Sequence, residues 1–257
     1  MNRRLPTTRM MRLLAGLGLL VLLAGCASSG DPRDPLEGFN RGVYQFNEGA
    51  DEYVIHPIAR GYKTVTPEIV DDGVTNFFGN LGEIVNFVNN LLQFKVEGSI
   101  MTVSRFMINT TIGIGGFFDV AGEAGIPRYK EDFGQTLGYW GVGSGPYVVL
   151  PLLGPSSVRD TGGLVADGFL NPIAYIDDDA WQYSLIALGF IDVKADMMRT
   201  RDLLSEAALD EYDFVKTAYF ERRENQINDD AEGEGSMMYP GYDETFGQDD
   251  LDGAQDE

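Results

Sequence analysis

The chain has 257 residues, with 40 Asp and Glu against 19 Lys and Arg, a formal charge of −21, one histidine and one cysteine. So acidic a balance lacks the clustered Lys and Arg that seek phosphates, and nucleic acid is not expected as a partner. A single Cys allows no internal disulfide, and with one His there is neither a zinc set nor a Cys-His nucleophile, so no cofactor or catalytic metal is expected.

Met1 to Arg12 carries Arg3, Arg4, Arg9 and Arg12 without an acid, and Leu13 to Ala24 is an apolar run too short to span a bilayer. It ends in Leu23-Ala24-Gly25-Cys26, which resembles the lipobox of bacterial lipoproteins. Residues 1–25 then read as a removable signal and Cys26 as an acylated new amino terminus, with 26–33 the lipidated start and linker. Each buried methylene contributes about 0.8 kcal/mol, so two or more acyl chains anchor stably where one does not. The alternative is an ordinary secretory signal with an incidental Cys. Ala27 rather than Asp follows Cys26, as in lipoproteins sorted to the outer membrane, and the periplasmic face of that membrane is expected. Cleavage leaves 232 residues at −25, enough for one large or two small domains.

Further along, Val74, Phe77, Phe78, Leu81, Val85, Val88 and Leu92 recur at helical spacing, with Asn76, Asn80, Glu83 and Asn90 on other faces. Ile100, Val103 and Met107 continue the pattern until Gly113. Between Gly113 and Gly168 lie 14 of the 32 glycines, interleaved with Phe117, Trp140, Tyr147 and Leu152. Glycine permits turns and close backbone approach at an entropic cost. Two readings stay open there: tight loops between closely packed helices, or a backbone shaped around something bulky. Tyr147 to Leu150 is the best strand-like piece, and Pro146 and Pro151 block it on both sides. Asp179 or a neighbour caps a helix through Trp181, Leu185 and Leu188. Ala180 to Ile191 is apolar on nearly every side and must be buried in protein or wetted by lipid. Arg201 to Ala208 and Glu211 to Arg223 are amphipathic, with Phe214, Val215, Ala218 and Tyr219 expected inward. The fold class is all-α. From Glu224 to Glu257 there are twelve acids and no Lys or Arg, the composition of an acidic disordered tail that is either merely solvated or docks on a basic partner.

Catalytic patterns are wanting. No G-x-S-x-G elbow occurs, Gly113-Ile114-Gly115-Gly116 lacks a preceding strand and a third glycine and reads as a helix stop, and His56 before Pro57 reads as a structural residue in a loop-like context. Asp160 and Asp167 are seven residues apart on one helix, and Asp177, Asp178 and Asp179 suit helix capping. The chain is not expected to be an enzyme.

Four ordered blocks carry a resemblance. They are Asp34-Pro35-Leu36-Glu37-Gly38-Phe39-Asn40-Arg41, Asn76-Phe77-Phe78-Gly79-Asn80-Leu81, Asp132-Phe133-Gly134-Gln135-Thr136-Leu137-Gly138, and the run from Trp140 to Pro151 with Arg159-Asp160 after it. Together they resemble the MlaA (VacJ) lipoproteins from the lipobox to about Arg223, giving a helical domain over 34–223. The resemblance implies a ring-like, membrane-embedded, multi-helix lipoprotein with a central amphipathic channel, seated beside a trimeric outer-membrane porin. It implies removal of mislocalised phospholipid from the outer leaflet to a soluble periplasmic carrier of the Mla pathway, with no reaction on the lipid. By the same resemblance Gly134 to Pro151 is a hairpin-like wall beside the channel, and a Phe39-Asn40 turn affects its opening. Phe39, Asn40, Gly141, Gly143, Gly145 and Pro146 are thus the implied channel or gating residues. Arg159 is either a headgroup ligand or a salt-bridge partner of Asp160 or Asp167. Competing readings are an enzyme acting on envelope lipid and a structural lipoprotein that only braces a porin.

Overall fold

The computed structural model describes residues 30–198 and 210–228, and Cys26 with its signal, the Arg201 to Ala208 segment and residues 229–257 lie outside the described residues. Helix α1 (Glu37–Ala50) follows the Asp34-Pro35 turn, and Arg41 Nε sits 2.7 Å from Glu37 one turn earlier. It continues through a π-helical turn, Asp51–Ile55, into α2 (His56–Val65). Pro57 accounts for the widening, because its ring collides with the carbonyl four residues back in a regular helix and a π turn moves that carbonyl away. His56 therefore lies in a continuous helix, not a loop, and shares a 2.8 Å hydrogen bond with Arg60.

Helix α3 (Glu68–Leu92) starts behind Pro67 and ends where Phe94 takes a left-handed φ of 61°. Helix α4 (Val96–Thr111) packs along it and stops at Gly113 to Gly116, as the helix-stop reading expects. There a Cβ on Gly116 would stand 2.5 Å from Asn80 Cβ, so only glycine permits the approach. Short helices α5 (Val120–Glu123) and α6 (Phe133–Tyr139) are capped by Asp119 and Asp132. Strands β1 (Tyr147–Leu150) and β2 (Gly154–Ser157) form an antiparallel hairpin, with Tyr147 opposite Ser157 and Leu150 opposite Gly154. Ser157 caps α7 (Val158–Leu170), and a 3-10 turn at Pro172–Tyr175 leads to α8 (Asp179–Asp196). Asp178 caps α8, accepting from the Trp181 N–H at 3.0 Å. The last described helix, α9 (Glu211–Asn228), continues past Arg223.

The fold is mostly helical, with one departure. The hairpin spans Tyr147 to Ser157 and not Gly134 to Pro151, because Gly134 to Tyr139 belongs to α6. Pro146 and Pro151 stand just outside β1, where their missing N–H groups interrupt no ladder bond.

Neighbouring elements close a circuit. Contacts run from α1 to β1, β2, α7, α6, α3, α8 and α2, then back through the π turn to α1, the connectivity of a ring. Its burial is inverted. Among the described residues eight apolar residues are buried against twenty polar or charged ones, while 32 large apolar side chains are exposed. A water-surrounded domain has the reverse distribution inside, and scattered exposed apolar residues do not explain so many. On α4 the buried stripe is Gly98, Thr102, Arg105 and Asn109 at helical spacing, and Ile100 and Met107 face outward. On α3 the apolar stripe from Val74 to Leu92 is only half-buried, and Asn80, Glu83, Asn89 and Asn90 are sealed. Within Ala180 to Ile191 no residue is fully buried, so α8 does not use the protein interior to hide its apolar surface. Phe214 is also exposed, contrary to expectation, and Tyr212 and Lys216 are the buried residues of α9.

Candidate functional site

Two asparagines of α1 hold the hairpin. Asn40 donates to the Tyr147 carbonyl (3.0 Å) and accepts from the Val149 N–H (3.0 Å), while Asn47 donates to the Leu150 carbonyl (2.9 Å) and accepts from the Leu152 N–H (2.7 Å). Seven residues apart, they lie on one helix face, and each amide presents the donor and acceptor that a neighbouring strand would supply. The outer edge of β1 is thus closed without a third strand. Asn40 also donates to fully buried Asp34 (2.8 Å), whose other oxygen accepts from Tyr212 Oη (2.6 Å) and lies 3.4 Å from Lys216 Nζ. Burial, and then the hydrogen bond to Asp34, push the Tyr212 hydroxyl well above its ordinary pKa. Tyr147 is sealed among Tyr212, Tyr219 and Phe220 at ring distances of 5.7 to 6.1 Å.

The loop ahead of the hairpin is pinned by the first turn of α7. Arg159 donates from its backbone to the Ser144 carbonyl (3.1 Å) and from its guanidinium to the Val142 carbonyl (3.3 Å), and the Val158 N–H reaches the Pro146 carbonyl (3.1 Å). Arg159 Nε lies 2.8 Å from Asp160, so it takes the salt-bridge alternative. Asp160 also accepts from Tyr219 Oη and from Arg223 Nε (2.8 Å), and Arg223 Nη1 lies 2.6 Å from Asp132. Burial alone would raise the Asp160 pKa, but hydrogen bonds from Arg159 and Arg223, the Arg223 charge and Tyr219 outweigh it and bring the carboxyl down to about 2. Asp167 accepts instead from Asn89 (2.9 Å) and the Phe133 N–H (2.9 Å), so these two carboxylates serve separate structural contacts.

A second polar cluster fills the interior between α3, α4 and α5. Fully buried Glu83 accepts from Arg128 Nε (2.9 Å), Arg105 Nε (3.3 Å) and Asn86 (3.1 Å). Arg105 reaches Asp119 at 2.7 and 2.8 Å, and Asn109 donates to Asp119 (2.7 Å) while accepting from the Ala121 N–H (2.8 Å). Burial works against the Asp119 carboxylate, but hydrogen bonds from Asn109, the Gly122 N–H and Arg105 keep its pKa below the ordinary value. Burial lowers the Lys130 pKa, and the charges of Arg128 and Arg222 lower it further.

The residues named from sequence divide. Cys26 is outside the described residues. Phe39 and Asn40 lie within α1, not on a turn, with Phe39 exposed and Asn40 sealed against the hairpin. Gly141 and Gly145 take left-handed φ values of 87° and 67°, which glycine alone adopts without strain, whereas Gly143 does not and has open space where a Cβ would stand. Pro146 contributes its carbonyl to the α7 start. Sequence reading missed Asn47, Glu83, Arg105 and Arg223. Only Asn47 had a signal, its spacing from Asn40.

The family model described as MlaA lipoprotein matches residues 32–226. The "Intermembrane phospholipid transport system lipoprotein MlaA" of Escherichia coli K12 is 40% identical over 213 residues, covering 79% of this chain and 83% of that protein. Its namesake in Haemophilus influenzae is 31% identical over 227 residues, 84% and 90% of the two chains, and an uncharacterized protein of Rickettsia bellii is 36% identical over 195 residues, 76% of each. A solved structure described as "Structural basis for maintenance of bacterial outer membrane lipid asymmetry" superposes with a TM-score of 0.68 at 35% identity, covering 76% of this chain and 99% of that one.

Proposed function

The chain belongs to the MlaA lipoprotein family, and on that premise we propose that it withdraws phospholipid from the outer leaflet of the outer membrane and passes it to a soluble periplasmic carrier, keeping the two leaflets different. The observation that carries the reading is the inverted burial, with apolar side chains outward and polar ones inward around a closed circuit. No described helix is long and apolar enough to cross a membrane. A ring that wears lipid-compatible surface without crossing suits insertion into one leaflet, anchored through acylated Cys26 on the periplasmic side. Sealed Glu83, Arg105 and Asn109 are hydrogen-bonded within the protein, so the ring keeps its polar groups satisfied without water while its apolar outer surface faces lipid. The lipid moves without a bond being made or broken. A trimeric porin is the neighbour against which the apolar outer wall packs, and the loop from Trp140 to Pro146, followed by the strand that Asn40 holds, borders the passage.

The test is clearance in cells. In a Gram-negative strain lacking its own relative, expression of this chain lowers surface-labelled outer-leaflet phospholipid several-fold. Unchanged labelling with the protein folded and in the outer membrane contradicts the proposal. Clearance that fails only in proportion to lost porin copurification favours a brace.

A further inference from the structure

A cavity of about 280 Å3 opens between α3, α8 and the 3-10 turn. Phe78, Leu81 and Val85 form one side, Leu185 and Ile186 the other, Ile173 the end, and no charged residue lines it. Gly82 and Gly189 lie in its walls, and the exposed amide residue Asn171 stands at the rim. The two glycines differ. A Cβ on Gly189 would meet the Phe78 ring at 3.1 Å, so packing explains it. A Cβ on Gly82 would meet nothing within 4 Å. Glycine inside a helix lowers its stability relative to alanine, and no close approach requires one at this position of α3. A side chain at Gly82, which lines the cavity, would therefore enter open space.

The occupant follows from the surroundings. The α8 stretch from Ala180 to Ile191 holds no charged residue over about 18 Å of helix, comparable to the roughly 15 Å hydrocarbon depth of one leaflet. Exposed Trp181, Tyr183 and Ile186 carry that apolar surface up to the cavity. A protein partner's polar backbone would find few hydrogen-bonding groups along these walls, whereas a hydrocarbon tail needs none.

We propose that this cavity is an acyl-chain cradle, holding one tail of the phospholipid while its headgroup is outside the apolar walls. The proposal rests on the lipid-moving function above. Filling the space with Gly82→Leu tests it, because Gly82 lines the cavity on the same helix face as Phe78, Leu81 and Val85 and leucine also improves helix propensity. The full lipoprotein, purified in detergent, is irradiated with a phosphatidylethanolamine carrying a diazirine near the end of one acyl chain, and adducts are mapped by mass spectrometry. Wild type is expected to carry adducts on Leu81, Val85 or Leu185, suppressed by excess unlabelled phospholipid. Gly82→Leu is expected to lose at least 90% of them with unchanged helical content and thermal midpoint, while adducts at outward Ile100 and Met107 persist. Gly82→Ala retains most of them. Cavity adducts undiminished in folded Gly82→Leu, or confined to the outward positions in wild type, overturn the cradle. The function itself is read separately in the cellular clearance assay. Normal clearance by Gly82→Leu overturns the cradle alone, whereas absent clearance by wild type overturns the underlying function.

Discussion

Asn40 combines three roles in one amide, since it bonds both peptide groups of β1 and the sealed Asp34 carboxylate. Asn40→Ala leaves a buried N–H and a buried carbonyl without partners, at about 1–3 kcal/mol for each unsatisfied group. Denaturant unfolding should register that loss, and hydrogen exchange should accelerate at the Val149 amide. Asn40→Asp is expected to be worse at neutral pH, because it keeps the acceptor but places a carboxylate against buried Asp34, and it should recover partly in acid as one of the pair protonates. Equal stability of the Asp and Ala variants across pH would refute that pairing. Asp160 supplies a pH dependence of opposite sense. Its folded pKa is depressed to about 2, so the stabilisation is complete above the ordinary carboxylate pKa and is lost as pH falls from about 4 towards 2, amounting to about 2 kcal/mol. Asp160→Asn should remove that part of the acid slope and weaken the hold of Arg223 on α7.

At the scale of elements, the loop ahead of the hairpin is glycine-rich for unequal reasons. Gly145→Ala forces a side chain into a φ of 67° and should destabilise by about 1 kcal/mol, whereas Gly143→Ala enters open space without strain and should stay within about 0.5 kcal/mol of wild type. Thermal unfolding of the two variants side by side checks the contrast. The helices were legible where local rules decide: the spacing in α3 and α4, the Asp178 cap of α8, and the stop at Gly113 to Gly116. The hairpin was half legible. Tyr147 to Leu150 has strand composition, but its partner is Gly-Pro-Ser-Ser, and its other edge is closed by asparagines more than 100 residues earlier. No local pattern encodes such a pairing. The Phe39-Asn40 motif suggests a turn, but the residues on either side carry helix α1 straight through it. The end of α9 also depends on tertiary contacts, since Ile227 lies beside Gly138 of α6 beyond the charge-rich turn at Arg222 and Arg223.

For the molecule as a whole, periodicity reveals that a helix has two faces and leaves open which face is inside. That choice belongs to the solvent: in water the apolar face of α4 would turn inward, whereas Thr102, Arg105 and Asn109 are the buried ones, the arrangement that a lipid surround favours. The buried Glu83–Arg105 pair shows the consequence. Glu83→Ala removes the buried acceptor shared by Arg105 and Arg128 while Asp119 still holds Arg105, and should cost about 1–3 kcal/mol, whereas a surface ion pair such as Arg33 with Asp31 should contribute under about 1 kcal/mol. The most direct measurement of the inverted arrangement is spin-label accessibility in membranes. Single cysteines at Ile69, Ile100, Met107 and Phe169, with Cys26 kept acylated, are labelled with a nitroxide and exposed in turn to oxygen, which concentrates in hydrocarbon, and to a water-soluble nickel chelate. The account predicts that these outward positions collide with oxygen and are shielded from nickel, while a label at exposed Glu123 near the polar interior shows the opposite order. Outward apolar positions as open to nickel as Glu123, in folded membrane-bound protein, would contradict a ring whose outer wall faces lipid.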